Sequence, residues 1–481
     1  MTMPNAARRP WLIQGGMGIA VSHWPLARAV AAAGQVGVVS GTGIDSVFVR
    51  RLQDRGVDRD LGSVLDRFPS PRVVEEVLAR FARIRRSSTA RYRNLVMPSH
   101  RSSRAAVELT VLASFVEVAL AKLGHAGTVG VNLLTKIQVP TVPSLYGAML
   151  AGVDVVLMGA GIPAHVPGIL DRLARAEPVE TPLTLTGAPP RSRAPVLRFD
   201  PAWLGSPVSL RRPAFFGIVS SHVLATALAR RASGSVEGFV VERAVAGGHN
   251  APPRGPLVLD DRGQPVYGPR DEVDLAAMRD LGVPFYLAGG VTAPEHVRDA
   301  LGAGAAGVQV GTLFAYCRES GMDPKLRAAV VSAARAGAVE VTTSARASST
   351  GYPFKVASVA GTLSDGEIYA GRERVCDLGY LREAYVTPRG GVGYRCPAEP
   401  EPAYRAKGGS AEETAGRVCL CNALMATAGL GQVRRGATSE PPIVTSGDEI
   451  AGIVQLAGAD GCYGAADVIT HLARGLPAGA A

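Results

Sequence analysis

Eight short, almost unbroken apolar runs recur along the chain, at 12–14, 36–40, 129–134, 153–158, 215–219, 238–242, 285–288 and 307–310. Most end at a glycine, and most are separated by alanine-rich stretches of helical period, such as 25–33, 221–231, 272–281 and 323–335. A strand with one wet face alternates polar and apolar residues, whereas a continuously apolar strand has both faces covered. Eight such strands alternating with helices predict a parallel (β/α)8 TIM barrel of the α/β class. The other candidate, an open doubly wound sheet, needs fewer strands and a differently placed phosphate turn.

The 481 residues exceed an average domain but fit one elaborated barrel with an appendage. With 47% hydrophobic and 19% charged residues, the chain can fill a large core and lacks the signature of global disorder. The barrel is expected over 1–360, interrupted by polar insertions at about 47–127 and 174–212. In the second insertion, 183–186 and 196–199 read as an antiparallel hairpin. Residues 361–481 read as a smaller C-terminal accessory region. The apolar stretch 145–170 is broken by Asp154, Pro163, His165 and Pro167, so it reads as a buried strand, loop and helix rather than a membrane span.

The net charge of +10 comes largely from arginine, with a cluster at Arg83, Arg85, Arg86, Arg91, Arg93, Arg101 and Arg104. No nucleic-acid motif accompanies it, so a solvated insertion is the better reading and no nucleic-acid partner is expected. Arg8-Arg9 lacks the apolar run that a twin-arginine signal requires. The six cysteines follow no disulfide-scaffold spacing, which points to reduced thiols in a cytoplasm. Cys376, Cys396, Cys419 and Cys421 contain no C-x-x-C, so no metal is expected. Arg395, Lys407 and Arg417 read as solvated surface.

Barrel enzymes carry their chemistry at the C-terminal ends of the strands. Glycine clusters fall there: Gly15-Gly16, Gly41/Gly43, Gly247-Gly248, Gly289-Gly290 and Gly311. The last two follow strands seven and eight, where barrels commonly bind a phosphate, and Thr312 adds a hydroxyl. The literal G-x-G-x-x-G at Gly302, Gly304 and Gly307 ends a helix and precedes a strand. That is the reverse of the order dinucleotide binding needs. His249 closes Ala246-Gly-Gly-His249 just past strand six; its imidazole can serve as general base or acid, or bind an anion. A loop histidine bonded to a backbone carbonyl is the equally weighted structural reading.

The segments Gln14-Gly-Gly-Met-Gly18, Gly130-Val-Asn-Leu-Leu134, Ala246-Gly-Gly-His249, Tyr286-Leu-Ala-Gly-Gly290 and Gly307-Val-Gln-Val-Gly-Thr312 together resemble the nitronate monooxygenase family, formerly 2-nitropropane dioxygenases. They occur in that family's order and cover about half the chain. The resemblance implies an FMN-binding barrel. Gly15, Gly16, Met17, Gly18 and Asn132 would lie beside the isoalloxazine, with Gly247 and Gly248 at the cofactor. Gly289, Gly290, Gly311 and Thr312 would hold the phosphate, and His249 would be the active-site histidine. It implies oxidation of an alkyl nitronate with dioxygen to a carbonyl compound and nitrite, by a chain that can form a homodimer. Flavin-dependent enoyl reductases of fatty-acid and polyketide synthesis share these motifs. They would add NAD(P)H as reductant and an acyl carrier protein as partner. A non-catalytic barrel binding a phosphorylated ligand is the third reading. The chain departs from shorter members at Asn250-Ala-Pro-Pro-Arg254, in its two insertions, and in a tail containing Ser349-Thr-Gly-Tyr-Pro-Phe-Lys355 and Cys419-Leu-Cys-Asn422.

Overall fold

A computed structural model describes residues 10–82, 85–189, 194–206 and 208–477. Arg8, Arg9 and Arg83, on which part of the charge reading rests, lie outside the described residues.

In chain order the strands begin with β1 (Leu12–Gln14), β2 (Gly37–Ser40), β3 (Val129–Leu134) and β4 (Val155–Gly159). β5 (Val179–Pro182) and β6 (Val196–Phe199) follow, then β7 (Ala214–Val219), β8 (Gly238–Glu242), β9 (Phe285–Ala288) and β10 (Gly307–Val310). Two C-terminal hairpins pair β11 (Val341–Ser344) with β12 (Phe354–Ala357), and β13 (Glu383–Val386) with β14 (Val392–Arg395). Eight parallel strands form one sheet in the order β1-β10-β9-β8-β7-β4-β3-β2. Its two edges meet: Gln14 N–H donates to the Val36 carbonyl at 2.9 Å, and Val36 N–H to that of Leu12 at 3.0 Å. The molecule is therefore a closed (β/α)8 barrel.

The apolar runs are continuous because alternate residues serve different layers. Val38, Leu157, Val240 and Tyr286 fill the barrel interior, while Val39, Val156, Val241 and Leu287 pack under the helices. Burying each such side chain contributes about 1.5–3 kcal/mol. Helix Trp24–Ala32 approaches β2 so closely that a Cβ on Gly37 would lie 1.9 Å from the Ala27 carbonyl oxygen. Any larger residue there would push the helix off the sheet.

Between β2 and β3, helix Arg104–Ala121 packs on helices Trp24–Ala32 and Thr141–Leu150. Its buried carboxylates are paired, Glu108 with Arg72 (2.7 Å) and Arg104 (2.8 Å), and Glu117 with Arg51 (2.8 Å). Much of the arginine cluster likewise binds its own fold: Arg86 meets Asp54 at 2.8 Å and stacks over Tyr92, and Arg85 donates to the Arg55 carbonyl at 2.6 Å.

The expected hairpin forms with a different first strand. β6 pairs with β5, and residues 183–186 lie beyond it. Leu183 keeps one bond to the Pro195 carbonyl, but Thr186 instead bridges to Tyr385 of β13. The apolar stretch 145–170 resolves into the end of helix Thr141–Leu150, β4, and the start of helix Val166–Ala174. Among the described residues no helix is long and apolar enough to cross a membrane.

After β10 the chain makes the short helix Thr312–Ala315 and helix Pro324–Arg335, and then leaves the barrel. It comes back at its end. Val444, Ile450, Ile453, Tyr463, Val468 and Leu472 belong to the same apolar cluster as Leu12, Val241 and Val308. Helix Ala465–Ala473 packs against both Trp24–Ala32 and Pro294–Gly302, taking the place of a barrel helix between the first and last units.

Candidate functional site

The strand exits converge on one cavity. Its lining includes Gly15, Gly16, Met17 and Gly18 after β1, Asn132 of β3, and Gly247, Gly248 and His249 after β8. Gly289 and Gly290 after β9 and Gly311 and Thr312 after β10 complete the set, so every residue that the resemblance placed at the cofactor or the active site borders the same space, whereas Gly41 and Gly43 flank it with only Thr42 in the lining. Gly302 instead closes a helix and Gly307 opens β10, away from that lining.

Close approach explains two of these glycines. A Cβ on Gly16 would lie 2.2 Å from the Asn132 Cβ, and one on Gly247 would lie 2.8 Å from the Ser446 carbonyl carbon. Gly289 and Gly290 turn with φ of 94° and 70°, the left-handed region that glycine enters without steric cost. Asn132 Nδ2 donates to the Gly16 carbonyl at 2.9 Å, which ties the first turn to β3.

Residues 445–449, which carry no sequence motif, close the cavity from the far end of the chain. Gly248 N–H donates to Thr445 Oγ1 at 2.8 Å, Gly447 N–H to Thr312 Oγ1 at 3.0 Å, and Asp448 N–H to the Val245 carbonyl at 3.1 Å. The Thr312 hydroxyl thus already accepts one bond and retains its hydrogen for another. Lys355, almost fully buried, holds Asp448 at 2.6 Å.

His249 is braced by the same tail. Its Nε2 lies 2.7 Å from Ser348 Oγ, which in turn lies 2.8 Å from Thr350 Oγ1. Its ring meets Phe354 edge-on at 4.9 Å. Asn250 N–H donates to the Pro353 carbonyl and Lys355 N–H to the Gly248 carbonyl, both at 2.9 Å. The histidine's side-chain partner is therefore a hydroxyl rather than a backbone carbonyl. Burial pushes the imidazole down to about 4, so it is neutral at pH 7.

The three cations read as solvated surface are all tied into the fold. Arg395 meets Glu383 at 2.7 Å, Lys407 meets Glu399 at 2.6 Å, and Arg417 donates to the carbonyls of Ser348 and Arg346. Each is half-buried because the tail folds back over the barrel mouth.

Glu242 went unnoticed in the sequence. It ends β8 and lines the cavity, and its carboxyl makes no hydrogen bond or ion pair among the described residues. Burial alone pushes its carboxyl up to about 8. The available signal was a lone acid closing the apolar run Gly-Phe-Val-Val-Glu242. Cys421 and Tyr380 also reach the lining. All six cysteines are free, and no group of three or more His, Cys, Asp or Glu side chains among the described residues is arranged to hold a metal.

The cavity accommodates a phosphorylated planar ligand in chemical terms. Asn132 of its lining carries a buried oxygen, Oδ1, with no hydrogen-bond partner among the described residues. Buried polar atoms are ordinarily satisfied, so orphans in a cavity wall fit a ligand that satisfies them.

Residues 211–354 match the family model described as nitronate monooxygenase, a span running from just before β7 to the first residue of β12. No curated protein gives a significant match. Among solved structures, the chain is similar to FabK from Thermotoga maritima, at 14% identity over 97% of this chain and 92% of that one, with a TM-score of 0.48. It is also similar to the nitroalkane oxidase of Streptomyces ansochromogenes, at 14% identity over 98% and 97% of the two chains, with a TM-score of 0.46.

Proposed function

We propose that this chain, whose residues 211–354 match the nitronate monooxygenase family model, is an FMN-dependent oxidoreductase that oxidises alkyl nitronates with dioxygen. The observation that carries the reading is the convergence of the glycine exits of β1, β9 and β10 on one cavity that also presents His249. In this reading the turn at Gly289 and Gly290, with Gly311 and Thr312, grips the phosphate. Gly15, Gly16, Met17, Gly18 and Asn132 border the ring, and Gly247 and Gly248 lie at the cofactor. A flavin bound there would supply one-electron redox chemistry between nitronate and dioxygen, the overall change balancing as two nitronates and one dioxygen to two carbonyl compounds and two nitrites.

The state of His249 narrows the substrate. With burial holding the ring near 4, it is a weak base for removing a proton from a neutral nitroalkane. It is well suited to orient an anion by donating its N–H, and the Ser348 hydroxyl fixes the ring's direction. The preformed nitronate is therefore the better substrate.

The absorption spectrum of purified protein tests the cofactor. A yellow protein with flavin bands supports the reading, and a colourless one that gains no thermal stability from added FMN refutes it. Anaerobic mixing then tests the reaction. Bleaching by a nitronate and not by NADPH supports the oxygenase; rapid bleaching by NADPH alone supports an enoyl-reductase activity instead.

A further inference from the structure

A second cavity lies against the first. Glu242, His249, Ala160 and Ile218 line both, so these four residues form the shared wall. The second cavity is also bordered by Arg243, Arg254, Tyr267 and Tyr352. Three charged groups in this lining lack the partners that folding alone would provide. The Glu242 carboxyl makes no hydrogen bond and no ion pair among the described residues. Arg243, the next residue, turns its guanidinium to the Gly289 carbonyl, and Arg254 donates to the Ser220 carbonyl at 3.1 Å. Neither guanidinium has a carboxylate partner among the described residues.

The carboxyl faces the cavity with no partner from the fold, so water or a ligand must satisfy it. Two cations in the same chamber would suit a carboxylate, yet they are directed elsewhere. A ligand that accepts one hydrogen bond from the acid and carries a negative charge toward the arginines would satisfy all three.

We propose, on the flavin-dependent reading above, that Glu242 is a substrate-binding acid of the second cavity, its carboxyl O–H donating a hydrogen bond to one oxygen of a small organic oxyanion whose charge Arg243 and Arg254 balance. The anion is a nitronate or its carboxylate isostere. No covalent bond changes in this step: the proton stays on Glu242, and the anion enters beside His249, facing the first cavity. Ionised Glu242 would repel the same anion.

The groups around Glu242 leave it as the switching charge. Burial holds His249 near 4 and lifts Tyr267 to about 12, so both are neutral from pH 6 to 10. Tyr352 and, across the first cavity, Tyr380 are also raised by burial. Asp271 is held by the N–H groups of Arg254 (2.7 Å) and Gly268 (2.9 Å), Asp448 by Lys355, and Glu449 lies beside Gly290 at the far end of the first cavity. Ile218 of β7 and Ala160 after β4 bring nothing titratable. Glu242 itself, raised to about 8 by burial, carries its proton at pH 7.

Butyrate, an oxyanion of nitronate shape that undergoes no redox chemistry, is the probe. Its binding to purified holoprotein is measured by titration calorimetry from pH 6 to 10. The expected Kd is level below about pH 8 and rises about tenfold per pH unit above it. Glu242→Gln keeps a donor and loses the ionisation, so its Kd stays level throughout. Arg254→Ala weakens binding at every pH and retains the break near 8. A wild-type Kd that is level to pH 10, a break that persists in Glu242→Gln, or no butyrate heat at millimolar concentration would each overturn the proposal. Calorimetry needs no colour, so a colourless protein refutes the flavin reading separately, and a yellow protein with level binding refutes only the role of Glu242.

Discussion

His249 Nε2 sits 2.7 Å from the hydroxyl of Ser348, ninety-nine residues further along the chain. Ser348 is in turn held through its carbonyl by Arg417. The histidine after β8 is thus oriented by the polar tail and not by the barrel that presents it. If that orientation matters, His249→Ala removes a hydrogen bond to a charged group, of about 1.5–3 kcal/mol, and should lower kcat/KM on a nitronate by roughly 10- to 100-fold. Ser348→Ala removes one hydrogen bond of about 1 kcal/mol and should cost about fivefold. Steady-state oxygen consumption checks both. Equal losses in the two variants would argue that Ser348 does more than aim the ring.

The contact of Gly16 with Asn132 predicts a site-specific lesion. A methyl group at Gly16 would overlap the Asn132 side chain, whose Cγ lies 2.9 Å from the added carbon. Gly16→Ala should destabilise the protein by about 1–3 kcal/mol and lower its flavin content. Urea unfolding and the flavin-to-protein absorbance ratio measure the two effects.

The Lys355–Asp448 pair anchors residues 445–449 to β12, and its two members are unequally buried, at 5% and 37% side-chain exposure. Asp448→Asn leaves a buried ammonium without its partner and should cost about 3 kcal/mol. Lys355→Met leaves a carboxylate that water still reaches and should cost only about 1 kcal/mol. The order of the two urea midpoints is the check.

Buried histidines and buried carboxyls make the stability depend on pH in opposite senses. His23 and His249 are held by burial at about 3 and about 4, so below 6.5 the unfolded chain binds more of their protons and stability rises with pH. Glu242 works in the opposite sense. Between about 4.5 and 8 the folded carboxyl keeps a proton that the unfolded one has lost, so its contribution falls as pH rises. Asp45 and Glu440, also raised by burial, act in the same sense as Glu242. Calorimetric melting from pH 4 to 9 isolates the Glu242 part: Glu242→Gln should lose less stability than the wild type between about pH 4.5 and 8.

The barrel strands were legible because their information is local. A strand covered on both faces must be apolar at successive positions, as Val38 and Val39 or Val240 and Val241 are. Strand exits marked by glycine follow from the same register, so the turns at Gly15, Gly289 and Gly311 could be found without knowing what lies opposite them. The hairpin after β4 was misplaced at its first strand because residues 183–186 are as strand-like as 179–182. The choice was made by pairing, with Thr186 recruited by Tyr385.

A linear reading can therefore locate the wall of the site and its histidine, since those residues lie beside the strands that announce them. It has no means of showing that Ser446 roofs Gly247, that Ser348 aims His249, or that helix Ala465–Ala473 fits between the first and last barrel units. Those relations join residues separated by ninety-nine positions or more, and they exist because the tail finds apolar surface and unpaired backbone groups on a barrel already closed. Side-chain periodicity reports which face of an element is buried, whereas packing selects which distant segment buries it.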